Sequence, residues 1–232
     1  MSAPLPSGTT DARALHGREY AERFDRMHGR RRLAQLLPLM RLGPDDELVD
    51  FGCGNGLLAL EVHGRVRSYT GVDFSQPFID LAVARTAHLG ATHLRFECAS
   101  IEDFCASHQH RFDVGSAFDF SEHVPDHEWL PLLAAVRSSL KAGGRLYLHT
   151  PNADFMLERM KRRNFILQQS PEHVAVRDMG ENIRLLRESG FTIANARFVR
   201  HYNLLRFVDP LRHLPRVGQL FEARIFIEAR VP

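Results

Sequence analysis

The sequence predicts a doubly wound α/β domain around a mostly parallel sheet, and three observations support this class. Short apolar runs alternate with helical segments up to Thr150, as in successive βαβ units. The run at 48–51 leads directly into a glycine-rich turn at 52–56, after which a helix begins. The last two runs, 191–199 and 221–231, alternate apolar and polar residues as paired strands do.

The individual elements follow from apolar periodicity and from the glycines that end the helices. Gly29, Gly90 and Gly190 each follow a helical pattern and mark its end. The predicted strands are 48–51, 68–73, 93–97, 111–118, 145–149, 191–199 and 221–231. The predicted helices are 11–28, 30–41, 76–89, 125–140 and 177–189, with one more beginning at Leu57 and another within 151–170.

Composition restricts the classes of protein to consider. The chain has 232 residues, 44% hydrophobic and 25% charged, which is typical of a globular domain. Its net charge of +2 is too small to indicate a nucleic-acid partner. Three cysteines without Cys-x-x-Cys spacing argue against a disulfide framework or a zinc knuckle, so we expect a reducing, cytoplasmic location. Residues 1–10 predict a disordered tail without a secretory signal, and no apolar run is long enough to cross a membrane.

The glycine-rich turn and the acidic residue after the next strand predict a nucleoside ligand. Gly52, Gly54 and Gly56 lack a Cβ, so the backbone can turn sharply with positive φ and a ligand can approach it. The N–H groups that open the following helix favour an anionic group. Asp73 ends the second predicted strand, where a carboxylate can accept both hydroxyls of a ribose.

Two classes of cofactor fit this arrangement, the dinucleotides and S-adenosylmethionine. The dinucleotide fingerprint requires a glycine at the position of Leu57, where it lets helix and strand pack closely. The observed spacing is Gly-x-Gly-x-Gly, which does not match. An NAD-dependent oxidoreductase is therefore disfavoured, although it stays an alternative.

The motifs together resemble the class I S-adenosylmethionine-dependent methyltransferases. The resemblance rests on 49–56 and 70–75, and then, in the same order as in that family, on 122–126, 140–144 and 149–152. It extends from about residue 30 to residue 199 and is closest to the small-molecule branch that includes the quinone-biosynthesis O-methyltransferases. It implies a Rossmann-like sheet of seven strands with an antiparallel edge hairpin. It also implies one domain over 11–232, with a helical lid at 11–43 and a substrate-side insert at 151–176.

The resemblance also implies a set of cofactor-binding residues. Asp50 and the turn would surround the methionine end, Asp73 would hold the ribose, and Phe118 would lie near the sulfonium. Arg31 would pair with the methionine carboxylate, although it could equally belong to a solvated basic face. Ser100 stands where the family often has an acidic residue for the adenine amine, so its bond would be weaker. The full set is Arg31, Asp50, Gly52, Cys53, Gly54, Gly56, Asp73, Phe74, Ser100, Ile101 and Phe118.

The residues after the fourth predicted strand are the candidates for catalysis, because ligands bind at the carboxyl ends of strands in open α/β sheets. His123 could act as a general base, since an imidazole titrates near neutral pH, or it could be structural. Asp119 and Glu122 could instead bind a divalent cation. No third oxygen ligand is identifiable, so we predict no metal site.

The predicted function is O-methylation of a small-molecule hydroxyl or carboxylate by in-line methyl transfer. N- or C-methylation, a lipid-like acceptor and a non-catalytic nucleotide-binding module stay as alternatives. The loop at 119–122 lacks the Asn/Asp-Pro-Pro-aromatic motif of amino-methylating nucleic-acid enzymes, so we expect no nucleic-acid partner. The basic run at 159–163 would suit an anionic acceptor or anionic lipid. The apolar residues Leu204, Leu205, Phe207 and Val208 could contact a membrane surface.

Overall fold

A computed structural model describes residues 31–162, 174–201 and 204–232 of the chain. The predicted tail, most of the predicted lid and residues 163–173 of the predicted insert lie outside these described residues. The division of the chain into tail, lid and insert therefore stays a prediction.

The described residues form a sheet of seven strands, as predicted. Its order is β3-β2-β1-β4-β5-β7-β6. The first five strands pair in parallel, and β7 lies antiparallel between β5 and β6. The strands are β1 Glu47–Phe51, β2 Ser68–Asp73, β3 Leu94–Cys98, β4 Phe112–Phe118, β5 Leu140–Pro151, β6 Thr192–Val199 and β7 Arg224–Arg230.

Helices cover both faces of this sheet, which makes the fold doubly wound. Within the described residues they are α1 Arg31–Leu36, α2 Leu57–Val62, α3 Gln76–Thr86, α4 Ile101–Ser107, α5 Asp126–Ser139, α6 Met156–Arg162 and α7 Met179–Glu188. Short 3₁₀ segments lie at Leu37–Leu39, Ala87–Leu89, Ser121–His123, Leu204–His213 and Gly218–Phe221. The helix α4 and the 3₁₀ segments after residue 201 had no clear signal in the sequence.

Two apolar clusters, one on each side of the sheet, explain why the central strands are nearly continuous apolar runs in the sequence. Trp129 and Leu133 of α5 join Leu185 and Leu186 of α7 on one side. On the other side, the leucines of α1 and α2 pack on aromatic rings of β2, β5 and β7. The leucines are Leu33, Leu36, Leu57 and Leu58, and the rings are those of Tyr69, Tyr147 and Phe226. Each fully buried leucine contributes roughly 1.5–3 kcal/mol through removal of apolar surface from water.

Two elements differ from the sequence-based prediction by several residues, and the strand predicted at 221–231 begins only at Arg224, after the 3₁₀ turn that contains Phe221. The helix predicted at 30–41 ends as an α-helix at Leu36 and continues as a 3₁₀ turn, because Pro38 has no N–H to donate to the preceding turn. The strand predicted to begin at residue 145 begins at Leu140, which pairs with Phe112. Gly143 adopts a left-handed φ of 73° inside it, and the pairing register shifts at this point.

The position of the site follows from this topology. The order of strands reverses between β1 and β4, which pair in parallel. The crevice at the carboxyl ends of these two strands is therefore the point where an open α/β sheet binds its ligand.

Candidate functional site

The glycine-rich turn has the conformation that the sequence predicts. Gly52, Gly54 and Gly56 have φ values of 69°, 50° and 71°. A Cβ on Gly56 would lie 2.7 Å from the Cβ of Ala82 on α3, so this glycine also permits close packing of the turn on the helix. The N–H of Gly52 donates to the carbonyl of Val72 at 2.9 Å, which fastens the turn to β2.

Asp73 connects the end of β2 to the same turn. One of its carboxylate oxygens accepts a hydrogen bond from the N–H of Gly54 and the other from the N–H of Ser75, both at 3.0 Å. The side chain is largely buried. Asp73 is therefore oriented by the backbone before any ligand arrives.

Asp50 is a buried carboxylate on β1, between two hydroxyl donors. It accepts hydrogen bonds from the Tyr69 hydroxyl at 2.8 Å and the Ser116 hydroxyl at 2.7 Å. Burial raises its pKa to about 6, and the two hydroxyl bonds and the charge of Arg32 limit the rise. The Asp50 carboxyl is thus mainly ionised at neutral pH. An ionised carboxylate can attract a cationic part of a ligand.

Cys53 fills the space beneath the turn. The Cβ and Sγ of Cys53 would both lie 2.9 Å from a Cβ added at Gly71, so the two positions are packed against each other. Burial raises the pKa of the Cys53 thiol well above its ordinary value, and Asp73 and Asp50 raise it further. The thiol stays protonated at neutral pH, so Cys53 is a small packing residue of the turn and is a poor nucleophile.

Further residues of the predicted cofactor-binding set have other contacts in the structure. The hydroxyl of Ser100 caps α4: it accepts from the N–H of Asp103 at 3.1 Å and donates to its carboxylate at 2.7 Å. Ile101 is buried in the apolar cluster that contains Trp129. Phe118 is also buried, at the carboxyl end of β4. Contacts of these residues and of Phe74 with a cofactor stay predictions.

Arg32 reaches the site, although the sequence favoured its neighbour Arg31. The side chain of Arg31 lies outside the described part of the chain. The guanidinium of Arg32 donates to the carboxylate of Asp119. Helical spacing could have indicated this residue, because Arg32 lies four positions before the buried Leu36 and so on the same helix face.

Asp119 is the centre of a buried charged cluster at the ends of β4, β5 and β7. It follows β4 with a left-handed φ of 51°, a conformation that aspartate tolerates better than most residues. Its N–H donates to the carbonyl of His149 on β5. Its carboxylate accepts from Arg32 and, at 2.9 Å, from Arg224 at the start of β7, while Nδ1 of His149 lies 3.0 Å away.

The charge of Asp119 depends on His149 and on the two arginines around it. Burial alone would raise the pKa of this carboxyl, but attraction to His149, Arg32 and Arg224 holds it well below its usual range. Burial also lowers the pKa of His149, so this ring is neutral at neutral pH. The permanent charges of Arg32 and Arg224 therefore carry the stabilisation.

Glu122 is a second buried carboxyl in this region. Its environment raises its pKa, whereas the environment of Asp119 lowers the pKa of Asp119. Burial raises its pKa to about 8, and the nearby charge of Asp119 adds to the rise. It accepts a hydrogen bond from the Thr150 hydroxyl at 3.1 Å, and the Ser121 hydroxyl donates to Thr150 at the same distance. The sequence indicates Glu122 only as a possible metal ligand, because its burial depends on residues distant in the chain.

His123, the predicted base, is half-buried in the 3₁₀ turn Ser121–His123, directly after Glu122. Another histidine, His201, is buried and lies near the charge of Arg224. Burial lowers the pKa of His201 to about 4, and the charges of Arg224 and Lys161 lower it further. Across 31–162, 174–201 and 204–232, no group of three or more His, Cys, Asp or Glu side chains could hold a metal ion.

The methyltransferase-domain family matches residues 21–196, about three quarters of the chain. The chain belongs to this family. Its members take a methyl group from S-adenosylmethionine, so the family predicted from the motifs, with its cofactor class, is confirmed. The matched range contains the glycine turn, Asp73 and the cluster around Asp119, apart from Arg224.

Curated relatives carry a narrower name. A ubiquinone biosynthesis O-methyltransferase from Coxiella burnetii is 36% identical over 110 residues, which is 47% of this chain and 44% of that protein. A protein of the same name from Aromatoleum aromaticum is 28% identical over 183 residues, 76% of each chain. The match thus spans less than half of the Coxiella protein and about three quarters of the Aromatoleum protein.

Solved structures confirm the fold. A geranyl diphosphate C-methyltransferase from Streptomyces coelicolor, bound to S-adenosylhomocysteine, superimposes with a TM-score of 0.64 at 19% identity, over 92% of this chain and 82% of that one. The [4+2]-cyclase SpnF superimposes with the same TM-score at 20% identity, over 87% of this chain and 81% of that one. One fold thus carries more than one kind of chemistry, so the acceptor must be argued from the site.

Proposed function

We propose that this protein transfers a methyl group from S-adenosylmethionine to an oxygen of a small molecule. The observation that carries the proposal is Asp73, whose carboxylate is aligned by two backbone N–H groups beside the glycine turn. The cofactor supplies an activated methyl on a sulfonium, so the protein has to align the acceptor and remove its proton. The name of the Coxiella and Aromatoleum relatives supports oxygen as the acceptor atom.

The residues divide into a cofactor side and an acceptor side. Gly52, Gly54, Asp50 and Asp73 would hold the methionine and ribose parts, with the ionised Asp50 near the methionine ammonium. The acceptor would lie at the ends of β4, β5 and β7, where the cluster around Asp119 forms a buried polar wall.

The acceptor oxygen attacks the methyl carbon, the carbon–sulfur bond breaks, and its electron pair stays on sulfur. The hydroxyl proton then needs an acceptor. His123 is the predicted base, because a half-buried imidazole can be neutral at pH 7. Glu122 is a second candidate: its pKa of about 8 leaves it mostly protonated at neutral pH, but the deprotonated fraction is far more basic than an ordinary glutamate. The matched variants His123→Gln and Glu122→Gln separate the two roles.

The test is formation of S-adenosylhomocysteine and of methylated product, measured by mass spectrometry with a panel of phenols, catechols, hydroxybenzoates and fatty acids. We expect an aromatic hydroxyl to be methylated, and we expect His123→Gln to lower kcat by a factor of about 10² or more, as loss of a general base does. If only Glu122→Gln has this effect, Glu122 is the base. Product methylated only at carbon or nitrogen would contradict the proposal, and so would cofactor binding without turnover.

A lipid-like acceptor is a second candidate, and one surface favours it. Of the four apolar residues named for membrane contact, only Phe207 has a described side chain, and it is 68% exposed. Leu211, Leu214 and Val217 follow at helical spacing and are also exposed. None of the helices described is long and apolar enough to span a bilayer, so such contact would be peripheral. Sedimentation with anionic vesicles, comparing wild type with Phe207→Ser, tests this; equal binding of both would exclude this surface.

A further inference from the structure

One buried arginine lies beside the turn that carries both candidate bases. Arg177 belongs to the segment that leads into α7, and only 4% of its surface is exposed. A guanidinium stays charged in proteins, so a buried one needs hydrogen-bond acceptors around it. The structure supplies the carboxylate of Asp126 and the backbone carbonyls of Ser121 and Val124.

These acceptors take their bonds from three different nitrogens of the guanidinium. Nε donates to Asp126 at 2.7 Å, Nη1 to the Ser121 carbonyl at 2.7 Å, and Nη2 to the Val124 carbonyl at 2.6 Å. Between the two carbonyls, the chain carries Glu122 and His123. Because the guanidinium is planar and its donors are fixed relative to one another, it sets the position of one carbonyl relative to the other.

The backbone around Arg177 supports the same turn. A single turn of helix is not stable by itself, because several residues are ordered for one hydrogen bond. The N–H of Ala175 donates to the carbonyl of Glu122 at 3.0 Å. The carbonyl of Arg177 accepts from the N–H of Ala153 at 3.1 Å, which fixes the segment to the chain that follows β5. The conformation of Ser121–His123 therefore depends on this segment.

Aromatic side chains connect the same arginine to the glycine turn. Its guanidinium carbon lies 5.9 Å from the centre of the Trp129 ring, within the range of a cation–π contact, and the ring centres of Trp129 and Phe120 are 5.8 Å apart. Phe120 packs on Gly52, where an added Cβ would lie 2.7 Å from its ring. The turn with the candidate bases is thus packed against the cofactor side of the site.

Stability alone does not explain an arginine at this position. Burying a charged side chain is often no more stabilising than packing an apolar one of similar volume, because the charge loses its hydration. The planar fork of donors provides geometric precision instead. Precision matters for catalysis, since a displacement of about 1 Å can lower a rate about 10²-fold.

We propose that Arg177 is a positioning residue for methyl transfer, which holds the turn Ser121–His123 so that the base on this turn faces the acceptor oxygen. The inference rests on the proposed function, because it requires a base on this turn to remove the acceptor proton. Arg177 itself exchanges no proton, since a guanidinium stays protonated. Its effect reaches the reaction only through Glu122 or His123.

The first test compares the kinetics of Arg177→Lys and Arg177→Met with those of wild type. Lysine keeps the charge but lacks the planar fork, and methionine removes all three bonds. We expect both variants to lower kcat about 10²-fold for an acceptor that wild type methylates, while the affinity for S-adenosylhomocysteine stays within about threefold of wild type. The control is Arg184→Met, which removes an arginine paired with Glu188 on the exposed face of α7 and should keep the wild-type kcat.

A double-mutant cycle separates positioning from general damage to the fold. In whichever of His123→Gln and Glu122→Gln has lost activity, adding Arg177→Lys should lower kcat by less than about a further threefold, because no base is left to position. A residue that only stabilises the fold would lower kcat by the same factor in both backgrounds. Circular dichroism at the assay temperature shows whether each variant is folded.

A second readout needs no acceptor. In protein with isotope-labelled histidine, the nuclear magnetic resonance signals of the His123 ring report the environment of the turn, and their loss in His123→Gln assigns them. We expect these signals to shift in Arg177→Lys and to stay unchanged in Arg184→Met. If wild type methylates none of the acceptors tested, the proposed function fails, and the spectrum still decides whether Arg177 fixes the turn.

Four results would overturn the proposal. They are a wild-type kcat in both Arg177 variants, a loss that multiplies fully with that of the base variant, unchanged His123 signals in Arg177→Lys, and full activity of both His123→Gln and Glu122→Gln. Arg177 variants that are inactive only because they are unfolded would show a purely structural role and would also contradict it.

Discussion

The ends of β1 and β2 and the ends of β4, β5 and β7 lie along one edge of the sheet, but they are organised by different interactions. At β1 and β2, glycines with positive φ and backbone N–H groups surround the single carboxylate of Asp73. At β4, β5 and β7, charged side chains from distant parts of the chain converge on Asp119. The first region depends on backbone conformation, and the second depends on buried charge.

This difference predicts how each region fails. A change in the glycine turn should alter packing and ligand approach while leaving electrostatics largely intact. A change in the cluster around Asp119 should leave buried charges without partners, which costs more than removing the whole ion pair would. The two regions can therefore be tested by substitutions that separate shape from charge.

The largest effect is expected from Asp119→Asn. Asparagine tolerates the left-handed conformation, so the variant removes the charge and keeps the backbone. Arg32 and Arg224 would then lose the carboxylate that they share, and the free energy of unfolding should fall by about 3–5 kcal/mol. Urea unfolding monitored by circular dichroism measures this loss of stability.

Asp45→Asn is the matched control, because Asp45 pairs with Arg67 on the surface. Both side chains of this pair are highly exposed, and we expect a change below about 0.5 kcal/mol. Equal effects of the two substitutions would show that the Asp119 cluster is not stabilised as a buried ion network.

A smaller effect is expected from Gly56→Ala in the turn. The new Cβ would lie 2.7 Å from the Cβ of Ala82, and alanine is strained at a φ of 71°. We expect a loss of about 2–3 kcal/mol from strain and overpacking together. Gly90→Ala is the control, with a φ of 58° and no atom within 4 Å of the new Cβ, and it should lose only about 1 kcal/mol. Equal losses would mean that contact with Ala82 does not matter.

The smallest effect is a pH dependence that comes from Glu122. Its pKa in the folded protein, about 8, is above its unfolded value, so the folded state binds the proton more tightly. The stabilisation is complete below the unfolded pKa, near 4.5, and is lost as pH rises through about 8. Between about pH 6.5 and about pH 9, wild type should therefore lose roughly 2 kcal/mol more than Glu122→Gln. Parallel stability curves for the two proteins would contradict the assignment of Glu122 as a buried carboxyl with raised pKa.

Local sequence predicted the first region well and the second poorly. Gly52, Gly54, Gly56 and Asp73 act through backbone turns and strand ends, which short motifs determine. The mostly parallel class of the sheet also follows from the alternation of strands and helices, and the antiparallel edge hairpin follows from the family resemblance. These features depend on residues that are close together in the sequence, so one sequence is enough to predict them.

Arg224 could not be found in this way. It contacts Asp119 only because β7 runs antiparallel to β5 and brings its first residue to the same edge. The raised pKa of Glu122 likewise results from burial that only the assembled fold creates. Arg32 could be predicted from the sequence, since its helix face is shared with Leu36, whereas the family resemblance indicated its neighbour Arg31.

The most direct test of the central claim is calorimetric titration with S-adenosylhomocysteine. Wild type, Asp73→Ala, Asp73→Asn and the surface control Asp45→Ala would be compared, with NAD as the alternative ligand. We predict micromolar binding by wild type and Asp45→Ala, and a loss of at least about tenfold, or 1.4 kcal/mol, in Asp73→Ala. Asp73→Asn keeps one oxygen acceptor and should fall between them. Binding of NAD in place of S-adenosylhomocysteine, or an affinity unchanged by loss of the Asp73 carboxylate, would contradict the account.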